Sequence, residues 1–125
     1  MWLHVRMSGN ISGGAHREDD KHVEISARRD ADILRLELVG ALDLVTADLV
    51  AQRVEDALTE KPGELILDLD NVKFCDSAGI QIMLRARSAA LRQGARFRIV
   101  NVHGIIRRSL EITGVLGVLT AAAEA

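Results

Sequence analysis

The stretch Phe74-Cys75-Asp76-Ser77-Ala78-Gly79-Ile80 places a thiol, a carboxylate and a hydroxyl on consecutive residues. An apolar run, Leu65-Ile66-Leu67-Asp68-Leu69, precedes it, and a helix-like stretch follows as far as Gln93. Ser77 therefore stands where a strand hands over to a helix. A hydroxyl at that point lies at the positive end of a helix dipole, beside backbone N–H groups that have no partner inside the helix. Four chemistries are open to such a constellation: nucleophilic attack, metal ligation, thiol redox chemistry and acceptance of a phosphate.

Each makes its own demands. A nucleophilic serine needs a base and an oxyanion hole. The elbow pattern G-x-S-x-G is absent, because Cys75 holds the first glycine's place, and His103 is the one histidine expected nearby. A metal would draw on Asp43, Asp68, Asp70, Asp76 or His103, yet these follow no recognised ligand spacing. Solvated loop carboxylates are the plainer reading. Cys75 follows Phe74 on a buried approach to the helix, where a small buried hydrophobe is expected rather than a redox thiol. A phosphate on Ser77 would add about −1.5 to −2 charges to an edge already holding Asp76 and Asp43. A serine in the cap position is commonly only a cap. The acidic neighbours and the amphipathic helix behind Ser77 are what favour a switch, because a partner packed over that helix would meet repulsion and bulk.

The flanking elements must position this turn. Residues 23–27 and 33–39 alternate apolar and polar side chains and are joined by a polar turn, which predicts an antiparallel hairpin ending at Gly40. Thr46 is placed to cap a helix running to Thr59, with Leu49, Val50, Val54, Ala57 and Leu58 as its buried stripe. Residues 65–69 read as a central strand covered on both faces. The helix over residues 78–93 would bury Ile80, Met83, Leu84 and Leu91. Arg87 falls within that stripe and must snorkel. A strand over 96–102, a helix over 104–113 and a short apolar coda over 115–119 follow. Right-handed crossovers put the first two helices on the same side of the sheet. The fold class is thus α/β: a mixed β-sheet that starts with an antiparallel hairpin and continues as parallel β-α-β-α-β, with helices packed on the sheet.

Composition narrows the function. A chain of 125 residues suits one domain, and 48% apolar residues support a packed core. Residues 1–20, rich in glycine, serine and charge, read as a flexible N-terminal lead-in to a domain over residues 21–125. Trp2, Leu3 and Val5 offer at most a short docking element. A net charge of −2 and 2% aromatic residues argue against a nucleic-acid footprint. Cys75 is the single cysteine, so no internal disulfide forms, which fits a reducing cytoplasm. No apolar run approaches the ~20 residues of a membrane span, and the N-terminus lacks a signal-peptide pattern.

The same residues resemble the STAS domain family, specifically its bacterial anti-sigma factor antagonists. The likeness rests on residues 65–69 and on Val72-Lys73-Phe74-Cys75-Asp76-Ser77-Ala78-Gly79-Ile80. Gly40-Ala41-Leu42-Asp43 and Arg107-Arg108-Ser109-Leu110-Glu111-Ile112-Thr113-Gly114-Val115 support it, so that it spans about residues 23–119. It implies the STAS (SpoIIAA-like) fold and a partner switch in the cytoplasm. The unmodified antagonist binds an anti-sigma factor, a serine kinase of the histidine-kinase-like ATPase fold, and so frees a sigma factor. The kinase phosphorylates the serine after the motif aspartate, here Ser77, and a serine phosphatase reverses it. ATP belongs to the partner; the resemblance implies no cofactor, metal or reaction of this chain's own, and no contact with nucleic acid or membrane. The partner surface would comprise Asp43, Asp76, Ser77, Ala78, Gly79, Gln81, Ile82 and Arg85, with Ile82 projecting away from the buried stripe as an exposed apolar anchor. Arg85 and Arg92 would contribute to a polar rim around it. Two departures stand out: Ala78 replaces a second hydroxyl residue, and His103-Gly104 replaces a proline at the last helix. The alternative within the fold is an interaction module of a stressosome, transporter or lipid-transport complex without sigma control.

Overall fold

The computed structural model describes residues 4–8 and 23–121. Five strands run β1 (His4–Ser8), β2 (Val23–Asp30), β3 (Ile33–Leu42), β4 (Glu64–Cys75) and β5 (Arg96–Val100). Four helices accompany them: α1 (Ala47–Leu58), α2 (Ser77–Arg92), α3 (Gly104–Ile112) and α4 (Leu116–Thr120). The strands form one sheet in chain order, antiparallel through β1, β2 and β3, then parallel from β3 to β4 to β5. The mixed sheet expected from the hairpin and the crossovers is present.

Two differences concern the edges of that expectation. His4–Ser8 adds an edge strand within the stretch read as a flexible lead-in; the rest of that stretch, including Trp2 and Leu3, lies outside the described residues. The apolar coda after residue 114 is the short helix α4, which seats Leu119 fully in the core.

Strand parity explains the two faces. Leu34 lies opposite Leu65, and Leu36 opposite Leu67; Leu65 and Leu67 in turn face Phe97 and Ile99. These leucines join the inward residues of all four helices in one apolar cluster. The alternate parity carries ions: Arg35 pairs with Asp68 at 2.7 Å, Arg98 with Glu64 at 3.1 Å, and Glu37 lies 3.4 Å from Arg28. Period-two alternation is what segregates them. α1 and α2 pack on each other as well as on the sheet, as same-side crossovers require.

The strands also run further than the hydrophobic runs suggested. β3 passes through Gly40, whose positive φ of 118° accompanies a register shift against β4, and ends at Leu42. β4 continues to Cys75, so Asp70 and Asn71 are strand residues rather than loop residues. Beyond Asp68 only β3 pairs with β4, which carries its end, Phe74-Cys75, past the limit of β5.

Candidate functional site

The end of β4 delivers the chain into α2 through Asp76, whose backbone is extended (φ −106°, ψ −167°). The Asp76 carboxylate accepts hydrogen bonds at Oδ1 from the N–H groups of Ala78 (2.9 Å) and Gly79 (3.1 Å). Asp76 is thus the N-cap, and Ser77 is the first helical residue rather than the cap expected for it. Aspartate and serine cap about equally well; the extended backbone at Asp76 gives the cap to the aspartate. Ser77 is exposed. Its hydroxyl is therefore released from capping and presented to solvent at the helix tip. The Asp76 N–H donates to the Leu42 carbonyl at 3.2 Å, pinning the turn to the end of β3.

Gly79 makes that close approach possible. A Cβ at this buried position would collide with the Leu42 carbonyl oxygen and lie 2.8 Å from the Cys75 Sγ. The first turn of α2 therefore sits directly on backbone, with no room for a side chain between.

Asp43 follows Leu42 and is 3% exposed, a correction to the solvated carboxylate expected on this edge. Its Oδ1 accepts from the Thr46 N–H at 3.0 Å, and the Thr46 Oγ1 accepts from the Asp43 N–H at 3.0 Å. This reciprocal pair has the form of a capping box. Thr46 Oγ1 also donates to the Ala41 carbonyl at 2.8 Å. Thr46 precedes α1 at the expected place, but contrary to expectation its side chain makes no cap hydrogen bond; it is spent on folding the loop. The second Asp43 oxygen is buried without a partner among the described residues. Asp43 thus shapes the loop beside Ser77 from beneath.

The remaining chemical groups are engaged elsewhere. Burial pushes the Cys75 thiol up to about 12, with the charges of Asp76 and Asp43 adding to it, so the thiol stays protonated at neutral pH. Its neighbour Phe74 is 48% exposed, not buried as its place in the motif suggested, because β5 stops short of it. His103 Nε2 lies 3.1 Å from the Asp70 carbonyl and 3.3 Å from its carboxylate, where it bridges β4 and the start of α3 instead of serving Ser77. Asp68 is taken up by Arg35, Asn101 and the Asp70 N–H. Among the described residues no group of three or more histidine, cysteine or acidic side chains could hold a metal ion.

An Asp-capped, serine-bearing helix tip set between two parallel strand ends is thereby defined, and residues 24–124 match the STAS domain. The chain belongs to the STAS domain family. A Paenibacillus polymyxa protein named anti-sigma F factor antagonist is 24% identical over 99 residues, covering 78% of this chain and 85% of that one. The Mycobacterium tuberculosis anti-sigma-F factor antagonist RsfB is 30% identical over 79 residues, covering 63% of this chain and 64% of its own. The crystal structure of an anti-sigma factor antagonist from Mycobacterium paratuberculosis superposes with a TM-score of 0.67 at 23% identity, covering 74% of this chain and 79% of that one. No helix among the described residues of this STAS domain is long and apolar enough to cross a membrane.

The outward face of the STAS domain's second helix differs from the one expected. Ile82, expected as an exposed anchor, is 3% exposed. The buried face of α2 is Gly79, Ile82, Met83, Ala86 and Ala90, while Ile80, Leu84 and Leu91 are only half-buried. The sheet covers one side of the helix and α1 covers another, so the buried arc is wider and rotated toward α1. What α2 shows to solvent is the row Ser77, Gln81, Arg85, Ser88 and Arg92, spaced by three and four residues. Ala78 is half-buried and Gly79 buried. Of the residues expected to meet a partner, Ser77, Gln81 and Arg85 share the open surface, whereas Asp43, Gly79 and Ile82 support it from within. Apolar exposure is found instead at Leu44 (78%) and Val45 (69%), on the loop that Asp43 and Thr46 fold. The signal for them was in the sequence: two large apolar residues directly after Gly40-Ala41-Leu42-Asp43, outside any periodic stripe.

Proposed function

We propose that this protein is an anti-sigma factor antagonist whose docking is switched off by phosphorylation of Ser77. The observation that carries the reading is the exposed hydroxyl of Ser77 at the first position of α2, held out by the Asp76 cap, in a STAS domain whose relatives bear antagonist names. The partner is an anti-sigma factor that is itself a serine kinase of the histidine-kinase-like ATPase fold. Binding it releases a sigma factor, and a serine phosphatase resets the switch.

The physics of the site suits such a switch. A phosphate at the first helical position faces the positive end of the α2 dipole, so the fold tolerates it. Asp76 already occupies the nearest N–H groups, so the phosphate stays on the surface rather than being drawn into a cap. A partner seated on Leu44, Val45 and the Ser77–Gln81–Arg85 row then meets about −1.5 to −2 of added charge and its hydration. Apolar anchors beside a polar row are a common composition for a docking surface. The test is incubation with candidate anti-sigma kinases and ATP, followed by mass spectrometry. Phosphate on the Ser77 peptide, absent from Ser77→Ala, is the expected result. Phosphate confined to other peptides, or none with any kinase that binds the protein, refutes it.

A further inference from the structure

A groove of about 290 Å³ runs between α1 and α2, at the lower end of the size of small-ligand sites. Val54, Ile82 and Ala86, each 3% exposed, line its apolar part. Arg85, Ser88 and Arg92 line it from α2. The small side chains of α2 leave this space open, and Ile82 turned inward supplies its grease. Among the described residues neither Arg85 nor Arg92 has an ion-pair partner, unlike Arg35 and Arg98 of the sheet, which are paired across strands with Asp68 and Glu64. They stand two helical turns apart, roughly 10 Å along the axis, with the Ser88 hydroxyl between them. Glu55 of α1 lines the facing wall. Its carboxylate repels a second negative charge, which favours a monoanion over a phosphate dianion.

We infer that this groove binds a small amphipathic monocarboxylate, its aliphatic chain on Val54, Ile82 and Ala86 and its carboxylate between Arg85 and Arg92. Both requirements come from the same lining: an apolar floor for the chain and unpaired guanidinium groups, with a hydroxyl, for the head. Ser77 takes no part in this groove.

Hexanoate, 1-hexanol and inorganic phosphate are the probes, titrated into the full chain and followed by proton–nitrogen correlation NMR. Hexanoate is expected to shift the amides of Ile82, Ala86 and Ala89 saturably with a millimolar Kd, in keeping with its few heavy atoms. Arg85→Gln and Arg92→Gln should each weaken it by about fivefold, as loss of a partly exposed charge pair does. Ala89→Leu, which fills the groove from a half-buried position, should abolish it. Absence of saturable shifts overturns the site. Hexanol binding as tightly as hexanoate, or indifference to both arginine variants, overturns the carboxylate. Phosphate binding more tightly than hexanoate overturns the choice of a monoanion. The titration contains no kinase and no anti-sigma factor, so its failure leaves the phosphorylation reading standing.

Discussion

Gly79→Ala is expected to destabilise the protein by roughly 1–2 kcal/mol, although the same change usually stabilises a helix. Two opposing effects set the figure. Alanine gains up to about 1 kcal/mol over glycine in helix propensity. Against this, the new methyl group would collide with the Leu42 carbonyl oxygen and lie 2.8 Å from both the Cys75 Sγ and the Leu42 Cβ. Two of these three neighbours belong to Leu42 at the end of β3, and one is backbone, so relief requires the helix start to move. Overpacking of that kind costs about 1–3 kcal/mol, more where rigid atoms resist. For a domain of this size the net loss lowers Tm by roughly 3–10 °C. Gly117→Ala provides the contrast: a methyl group added to this α4 glycine would meet nothing within 4 Å, so its change should be neutral or slightly stabilising. Urea titrations of the two variants and wild type decide it. A Gly79→Ala protein as stable as wild type would mean that α2 does not rest on β3 as described, and that the pinning of Ser77 has been misread.

Three further outcomes follow from the same contacts. Asp76→Ala should cost about 1 kcal/mol of stability by urea titration, and Asp76→Asn only a few tenths, because asparagine keeps the cap to Ala78 and Gly79; equal losses would show that the charge, not the cap, matters. Cys75, raised to about 12, should react slowly with iodoacetamide at pH 8 when folded and quickly in urea. Because the folded thiol holds its proton above the unfolded value, its contribution to stability falls as pH rises beyond about 9; similar folded and unfolded alkylation rates would contradict this. For Asp68, burial raises the pKa, but hydrogen bonds from the Asp70 N–H, Arg35 and Asn101 outweigh it and hold the carboxyl below its usual range. That stability is present above the unfolded value and is lost as pH falls through the folded one, so the gap between wild type and Asp68→Asn in thermal melts should close below about pH 4. A gap constant from pH 7 to pH 2 would refute the assignment.

Much of this fold was legible because its two periods are clean. Leu34, Leu36 and Leu38 against Arg35 and Glu37 announce a strand with two unlike faces, and Val50, Val54, Ala57 and Leu58 announce the inner stripe of α1. The family resemblance carried by Asp76-Ser77 could also be read from the chain, and the STAS match supports it. What escaped were features set by neighbours rather than by period. The inner face of α2 depends on α1 lying beside it, so a pattern that registers only the sheet points Ile82 outward. The burial of Asp43 depends on Thr46, which is itself held by the Ala41 carbonyl, and hydrophobicity registers neither contact. The length of β4 beyond Leu69 was hidden because Asp70, Asn71 and Lys73 interrupt its apolar run, while pairing with β3 carries it on to Cys75. The strand His4–Ser8 is short and stands at the sheet edge, where its pairing with β2 rather than its own pattern defines it.

The most direct test of the switch compares one affinity in two charge states. The chain phosphorylated on Ser77, and separately Ser77→Asp, would be titrated by calorimetry into the anti-sigma factor that binds the unmodified chain, with Ser77→Ala as control. Loss of at least about tenfold in affinity for both charged forms, equivalent to roughly 1.4 kcal/mol, is predicted, with Ser77→Ala binding like wild type. Equal affinities across all four proteins would contradict the claim that charge at the tip of α2 decides whether a partner docks.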